Sequence, residues 1–284
     1  MCPSEVEFIV PLSRLLRTSR PRFWMYVLGP YVVGLAALKS PAVFYSPLAL
    51  LFLVYFLLPA NVLIYGINDI FDYETDVRNA KKQGYEALVP PDQRQALGWT
   101  IALTNLPFFA ASFFLPRPAQ LALVAFVTLS VFYSAPPIRA KARPFLDAAF
   151  NALYLCPGYV AYFLAGGKEF SFPTLFAGWA WVMAMQAYSA VPDITADRES
   201  RTFTVATTLG LRGTLILCLV LYGTAAALAF PAIHWLALPL GLVYATLMLL
   251  SLHAGTEEGV MKLYKNFPLL NTLCGMALFF AALL

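Results

Sequence analysis

The stretch NDIFDYETD, residues Asn68–Asp76, places four carboxylates within eight positions directly after a long apolar segment. On a helix, Asn68, Asp72 and Asp76 stand four residues apart and lie along one face, with Asp69 at its border. Acids this close repel each other unless a cation lies among them. Oxygen ligands with positions left for water and phosphate favour Mg²⁺ over zinc or copper. The stretch therefore predicts a magnesium–phosphate site at the end of a membrane helix.

The composition places the chain in the membrane. Of its 284 residues, 60% are hydrophobic and 12% are charged, and the mean hydropathy is +0.70. A soluble domain normally carries about twice that fraction of charge. We expect an all-α fold, a polytopic membrane bundle whose cytoplasmic loops cap a central cavity, and a single transmembrane domain over residues 1–284.

Nine segments are apolar enough to be membrane spans, since a span needs roughly 17–25 apolar residues. The fourth segment is the shortest of them. The predicted spans are Phe23–Leu38, Ala42–Ile67, Leu97–Leu115, Gln120–Tyr133, Phe145–Leu164, Thr174–Val191, Gly213–Phe230, Trp235–Leu252 and Phe267–Leu284.

The charges divide sharply between the two sides that nine spans define. Sixteen Lys and Arg residues fall on the side of the N-terminus, and three fall on the other: Lys39, Arg117 and Lys168. The positive-inside rule then makes the N-terminus cytoplasmic. All the acids except Glu169 share that side, and the rule does not account for acids. We therefore expect a multi-pass protein of the cell (plasma) membrane whose active site faces the cytoplasm, and no nucleic-acid partner for the net charge of +4.

A second acidic cluster follows the sixth predicted span. Asp193 and Asp197 share a helical face, and Pro192 is expected to kink or restart the helix just before them. An ordinary structural interpretation is open as well, in which Asp193 caps a short helix and Asp197 pairs with Arg201. The two clusters together are more specific, because each ends a span on the same side with acids at four-residue spacing.

A basic loop lies between the two clusters. Pro136 and Pro137 stop the fourth span, and Arg139 and Lys141 follow them. These cations, and Arg22 before the first span, are either phosphate ligands or ordinary positive-inside residues, and the sequence leaves both interpretations open.

Together, the clusters and the loop suit a diphosphate. Its roughly three negative charges could be held between two carboxylate-bound Mg²⁺ ions, with Arg and Lys on the remaining oxygens. An allylic diphosphate would ionise to a carbocation, which aromatic rings stabilise and which water must not reach. Tyr65, Tyr133 and Tyr188 lie within about a turn of a motif and are the tyrosines expected near the substrate.

At these residues the sequence resembles the UbiA superfamily of intramembrane prenyltransferases. That family has an NDxxDxxxD pattern after the second span, a DxxxD pattern after the sixth and a YSxPPxRxK-like loop after the fourth. The resemblance implies that Mg²⁺ and diphosphate are held by Asn68, Asp72, Asp76, Asp193 and Asp197, with the four aspartates catalytic. It implies that the substrate is also contacted by Asp69, Arg22, Tyr133, Arg139, Lys141 and Tyr188.

One departure from the family pattern is visible. Many members carry a Gly four residues after the DxxxD motif, and Arg201 stands there in this chain. The local turn, and with it the choice of substrate, is therefore in question, whereas the metal ligands are not.

The resemblance also implies the partners: an isoprenyl diphosphate donor, a lipophilic acceptor and the surrounding membrane lipids. Within the superfamily, the motifs look most like the branch that elongates lycopene toward C50 carotenoids. Other branches use an aromatic quinone precursor, a tetrapyrrole or a glycerol phosphate, and no residue distinguishes these acceptors on physical grounds.

Two other classes of membrane protein were weighed. A divalent cation or phosphate transporter would place acids near the middle of its spans, whereas here they lie at span ends. A phospholipid alcohol-phosphate transferase would show a denser acidic motif with interleaved Gly and Ala-Arg, which this sequence lacks.

Overall fold

The computed structural model describes residues 9–76, 89–169 and 171–283, with the backbone only for residues 73–76. Throughout these ranges the fold is helical. The α-helices are α1 Leu12–Thr18, α2 Met25–Ala36, α3 Pro47–Leu57, α4 Pro59–Asp76, α5 Arg94–Ala111, α6 Arg117–Ser134, α7 Leu146–Ala149, α8 Cys156–Leu164, α9 Phe172–Ala190, α10 Ile194–Glu199, α11 Val205–Ile233, α12 Ala237–Ala254, α13 Glu257–Tyr264 and α14 Phe267–Leu283.

Prolines set several of the helix boundaries. Leu58 leaves helical geometry between α3 and α4, as expected for the residue before a proline, Pro59. At the end of α6, Ala135 is extended before Pro136, which confirms that the fourth predicted span stops there. Helix α9 ends at Ala190 and a 3₁₀ turn carries Pro192, so the expected break before the second acidic cluster is also confirmed.

Four stretches of the described chain are long and apolar enough to cross a membrane, and the pair α13 and α14, bent by 42°, would make a fifth. The prediction of nine spans is not confirmed. The first, fifth and sixth predicted spans correspond to α2, to the pieces α7 and α8, and to α9. Helix α2 has 12 residues and α8 has 9, fewer than the roughly 20 of a full span. The four stretches are Pro47–Asp72, Pro91–Phe114, Arg117–Ser134 and Val205–Ala254.

The helices form two packed halves. One core is built from α1 to α6 with α8, and the other from α7 and α9 to α14. Helix α2 packs against α8 within the first half and against α14 of the second, and so joins the two halves. Its approach to α8 is so close that a Cβ atom on Gly34 would clash with the Gly158 carbonyl oxygen. The boundary between the halves encloses the cavity described below.

Candidate functional site

The end of α4 carries the first acidic motif, and each of its described polar side chains meets another element. The Asn68 amide donates to Ser134 Oγ on α6 at 3.4 Å. Arg20, before α2, donates to Asp69 Oδ1 at 2.7 Å. Asp72 Oδ2 contacts Lys141 from the basic loop. Both carboxylates are about 5% exposed or less, so these cations offset the cost of burying them.

Two cations of this cluster have strained backbone. Arg20 has φ of 50° and Arg139 has φ of 44°, in the left-handed region that L-residues other than Gly, Asn and Asp rarely adopt. Such conformations cost about 1–3 kcal/mol each and concentrate at functional sites. The fold therefore holds both guanidinium groups beside the acids against a local backbone cost.

Burial, and to a smaller extent the nearby Arg20 guanidinium, lower the pKa of Lys141 to about 7, against an opposing effect of Asp69. The contact with Asp72 also favours the charged lysine. The cluster is thus a crowded arrangement of charges of both signs, largely buried except for the half-exposed Arg139 side chain.

Two oxygens on this face of α4 lack a hydrogen-bond partner in the described part of the chain. They are Asn68 Oδ1 and Asp72 Oδ1, both buried, and Asp72 Oδ1 lies 3.7 Å from the Arg139 guanidinium, beyond hydrogen-bond distance. An orphaned amide oxygen and carboxylate oxygen four residues apart fit a hard divalent cation. Among the described side chains no three His, Cys, Asp or Glu group closely enough to hold a metal, and the side chain of Asp76 lies outside them.

The second acidic motif is built differently. Asp193 occupies the N-cap position of α10, as the capping interpretation expects. Its carboxylate, however, makes no capping hydrogen bond. Asp193 and Asp197 are partly buried. Helix α10 has six residues, and Glu257 of α13 holds its first turn by accepting from Thr195 Oγ1 at 2.8 Å.

The turn after the DxxxD motif is present although Arg201 replaces the glycine of the family pattern. Arg201 has φ of 55°, a conformation that a glycine adopts without strain. The turn is closed by Thr202, whose backbone N–H donates to the Asp197 carbonyl at 2.8 Å. The backbone after the DxxxD motif is therefore glycine-like although the residue is arginine.

A buried acid that the sequence reasoning missed supports this segment. Asp147 of α7 is fully buried, and its Oδ2 accepts from the backbone N–H of Val205, the first residue of α11, at 2.9 Å. Its Oδ1 has no hydrogen-bond partner in the described ranges. The sequence does contain a signal for it, because Asp147 is a lone acid at the start of an apolar segment, where ionisable residues are usually functional.

Two tyrosines lie between the two motifs. Tyr133, next to Ser134, accepts from Gln186 of α9 at 3.1 Å, and Asp197 is near it. Tyr264 of α13 has both Asp193 and Arg22 near it. The inner ends of α4, α6, α9 and α13 therefore meet around the predicted site.

An aromatic path leads from the first motif into the bundle. The Arg20 guanidinium lies 4.8 Å from the centroid of the Tyr65 ring, and the Tyr154 hydroxyl lies close to that of Tyr65. The ring of Tyr154 lies 6.1 Å from that of Tyr26. Tyr188, by contrast, is fully buried, and its hydroxyl is paired with Ser251 at 3.0 Å, so a role in contacting substrate stays a prediction for it.

A cavity of about 860 Å³ begins where this path ends. Tyr26 and Tyr154 of that path line it, together with Phe44 and Glu169. Its walls come from α2, α8, α9, α11, α12 and α14 and are mainly apolar. A volume of this size suits a large, mostly hydrophobic ligand.

The sequence matches known proteins over most of its length. The model of the UbiA prenyltransferase family matches residues 27–259. A lycopene elongase/hydratase of Haloarcula japonica is 39% identical over 274 residues, which cover 96% of this chain and 92% of that protein. A lycopene elongase/hydratase of Corynebacterium glutamicum is 37% identical over 219 residues, covering 75% of each.

The fold matches as well. A UbiA homolog from Archaeoglobus fulgidus, solved bound to GPP and Mg²⁺, aligns with a TM-score of 0.68 at 20% identity, covering 94% of this chain and 99% of that one. Structural similarity at 20% identity is evidence of a shared fold only. The evidence for the family is the sequence matches. The chain belongs to the UbiA prenyltransferase family.

Proposed function

We propose that this prenyltransferase transfers a prenyl group from an isoprenyl diphosphate to lycopene in a Mg²⁺-dependent reaction, as a step toward C50 carotenoids. The observation that carries the acceptor is the 39% identity, over 96% of the chain, to a protein named lycopene elongase/hydratase. The mainly apolar cavity beside the acidic motifs supports a hydrocarbon acceptor. An aromatic quinone precursor, a tetrapyrrole or a glycerol phosphate remains the alternative.

Asn68, Asp72 and Asp76 would hold one part of the metal site, and Asp193 and Asp197 the other. The support for the first set is the pair of buried, unpartnered oxygens on Asn68 and Asp72. Bound Mg²⁺ would neutralise the diphosphate and so assist its departure.

Cationic side chains would bind the diphosphate oxygens. Arg20, Arg139 and Lys141 already converge on the first motif, where charge-assisted hydrogen bonds to phosphate are strong. Asp69 would hold Arg20 in position, and Arg22 would assist from the side of Tyr264. The family resemblance named Arg22 for this role, and the contact with Asp69 makes Arg20 the stronger candidate.

The aromatic path would then protect the reacting carbon. Tyr65, Tyr154 and Tyr26 stand between the charged cluster and the cavity, where their rings can stabilise an allylic cation and exclude water. Tyr133 would line the same space from α6. The cation would add to a terminal double bond of the acceptor lying in the cavity.

The placement in the cell follows from the charge asymmetry. We infer a single multi-pass domain of nine spans in the plasma membrane, in contact with membrane lipids, with its N-terminus and active site on the cytoplasmic side. The support is the sixteen-to-three division of Lys and Arg.

The test uses membranes that contain the protein, supplied with Mg²⁺, labelled prenyl diphosphates and lycopene. We expect pyrophosphate release that a chelator abolishes, and pigment that is heavier by five-carbon units when the protein is expressed in a lycopene-producing bacterium. Lys168→Ala, on the predicted outer side, should release pyrophosphate at the wild-type rate, and loss of activity there would contradict the topology.

The outcomes separate the parts of the proposal. Active release with unchanged lycopene would refute that acceptor and favour another one. Release that persists in chelator would refute the metal requirement.

A further inference from the structure

One group of polar side chains lies inside the apolar cavity, away from the acidic motifs. The Asn271 amide nitrogen donates to the Tyr26 hydroxyl at 3.1 Å, and the Tyr244 hydroxyl donates to the Asn271 amide oxygen at 2.8 Å. All three side chains line the cavity. Helices α2, α12 and α14 thus each contribute one member.

Tyr222 of α11 completes the group. Its ring stacks on that of Tyr244 with centroids 4.4 Å apart and an angle of 16° between the planes. It is 2% exposed and lines the same cavity. Its hydroxyl has no hydrogen-bond partner in the described part of the chain.

Helix–helix adhesion explains only part of this arrangement. Hydrogen bonds such as those of Asn271 commonly join membrane helices, so the Tyr26–Asn271–Tyr244 bonds alone need no ligand. The Tyr222 hydroxyl has no such bond within the described residues, and a buried hydroxyl left unsatisfied is destabilising. A partner inside the cavity would remove that cost.

A water molecule fits this place. Buried waters need about two to four polar partners. The Tyr222 hydroxyl can donate and accept, and the Tyr26 hydroxyl, which accepts from Asn271, still has its own proton to donate. Other polar side chains line the cavity, but among the described ones the Tyr222 hydroxyl is the buried group that still lacks a partner, so water is best held at this point.

We propose that Tyr222, Tyr26, Tyr244 and Asn271 bind the water that quenches the carbocation formed on the acceptor, which makes this group a hydration site. The inference rests on the proposed function. When the prenyl cation adds to the terminal double bond, a tertiary cation forms on the acceptor. The water oxygen bonds to that carbon, and its proton passes to the pyrophosphate released in the same turnover, giving an elongated tertiary alcohol.

The alternative to hydration is loss of a proton from a neighbouring carbon, which gives an alkene. The stacked rings of Tyr222 and Tyr244 can stabilise the tertiary cation while the bound water reacts. On the aromatic path, the rings of Tyr26 and Tyr154, 6.1 Å apart, lie between this water and Tyr65. The water is therefore near the reacting carbon, and the hydroxyls of Tyr26 and Tyr154 lie between it and the pyrophosphate that takes its proton.

The decisive variant is Tyr222→Phe, because it removes a hydroxyl with no partner in the described protein and leaves the ring stacking. Tyr55→Phe is its matched control. The Tyr55 hydroxyl is also buried and lacks a hydrogen-bond partner in the described ranges, but Tyr55 does not line the cavity. Asn271→Leu serves as a second, larger perturbation.

Membranes with each protein are given Mg²⁺, dimethylallyl diphosphate and lycopene in oxygen-18 water, and both pyrophosphate release and pigment mass are measured. We expect the wild-type and Tyr55→Phe pigments to carry labelled oxygen. In Tyr222→Phe and Asn271→Leu the ratio of hydrated to unhydrated elongated pigment should fall about tenfold, as for a lost hydrogen bond. Pyrophosphate release should be retained in Tyr222→Phe, which keeps every ring and every hydrogen bond described above.

Two results would overturn the hydration site alone: wild-type hydration ratios in both variants, or elongated wild-type pigment without labelled oxygen. If wild-type membranes release no pyrophosphate and leave lycopene unchanged, the proposed function fails and the hydration site fails with it.

Discussion

The two acidic motifs share a spacing but differ in construction. The first forms the end of an 18-residue helix, α4. Its described acids are buried and paired with cations from two other elements. The second follows a broken helix, sits on six-residue α10, and is only partly buried. One motif is fixed by its own helix, and the other is fixed by distant parts of the chain.

The first motif therefore depends mainly on charge compensation, and the second depends mainly on the bonds that hold its helix in place. In the first motif, the cations make burial of the acids tolerable, so its weak point is electrostatic. In the second, the carboxylates need little compensation, but α10 is too short to be stable alone. Its weak points are the bonds from Asp147 and Glu257, which lie outside the motif.

The largest expected effect comes from Asp72→Asn and Asp193→Asn. Each should lower pyrophosphate release by at least about a hundredfold, since a group that stabilises developing charge is removed. Only Asp72→Asn should also destabilise the metal-free protein, by about 2 kcal/mol, because it weakens a charged hydrogen bond with Lys141. Thermal unfolding in detergent measures the second effect.

Asp92→Asn is the control for both, because Asp92 is an exposed acid on the same side of the protein. Equal destabilisation by Asp72→Asn and Asp193→Asn would remove the proposed contrast between the motifs. Wild-type release in either variant would remove that residue from the site.

Asp147→Ala should come next. It leaves the Val205 backbone N–H without its partner, at a cost of about 1–3 kcal/mol, and should lower the unfolding temperature together with pyrophosphate release. Asp147→Asn keeps an acceptor oxygen and should retain at least half of the lost stability. If Asp147→Asn lowers the unfolding temperature as much as Asp147→Ala does, the hydrogen bond to Val205 is not the source of the stability that Asp147 provides.

Glu257→Ala should have a smaller effect, because its bond to Thr195 is exposed. We expect the free energy of unfolding to fall by less than about 1 kcal/mol. Pyrophosphate release should fall measurably, because α10 loses the bond that holds its first turn to α13. Glu258→Ala is the neighbouring control, since Glu258 pairs only across an exposed surface with Lys262. Identical release from the two variants would show that α10 needs no clamp from α13.

The smallest effect, and the only stabilising one, is expected for Arg201→Gly. Glycine adopts φ of 55° without strain, so the variant should gain up to about 1 kcal/mol. The same change at Arg212, in the regular part of α11, should cost about 1 kcal/mol. A loss of stability in Arg201→Gly would mean that the arginine side chain matters more than its backbone.

Much of the fold class and the motif positions could be predicted, because they depend on local rules. Apolar runs indicated membrane helices, and Pro136 and Pro192 marked where helices end. The number of spans was harder, because α2 and α8 are short pieces whose stability comes from packing against each other at Gly34 and Gly158.

The site was predicted less completely for a related reason. The acids on α4 share a face by helical periodicity, but the sequence does not say which cation reaches them. Arg20 and Arg22 flank the same turn, and only the left-handed backbone at Arg20 directs one of them to Asp69. Asp147 accepts a hydrogen bond from Val205, 58 residues away. A pattern of neighbouring residues cannot predict a contact over that separation.

The long-range bonds of the second motif have a consequence for biogenesis. While the ribosome is still making α10, neither Val205 nor Glu257 has joined the chain, so the nascent protein has its first motif complete and its second unfinished. The second motif therefore gains its supporting bonds late in translation, from Val205 first and from Glu257 of α13 afterwards.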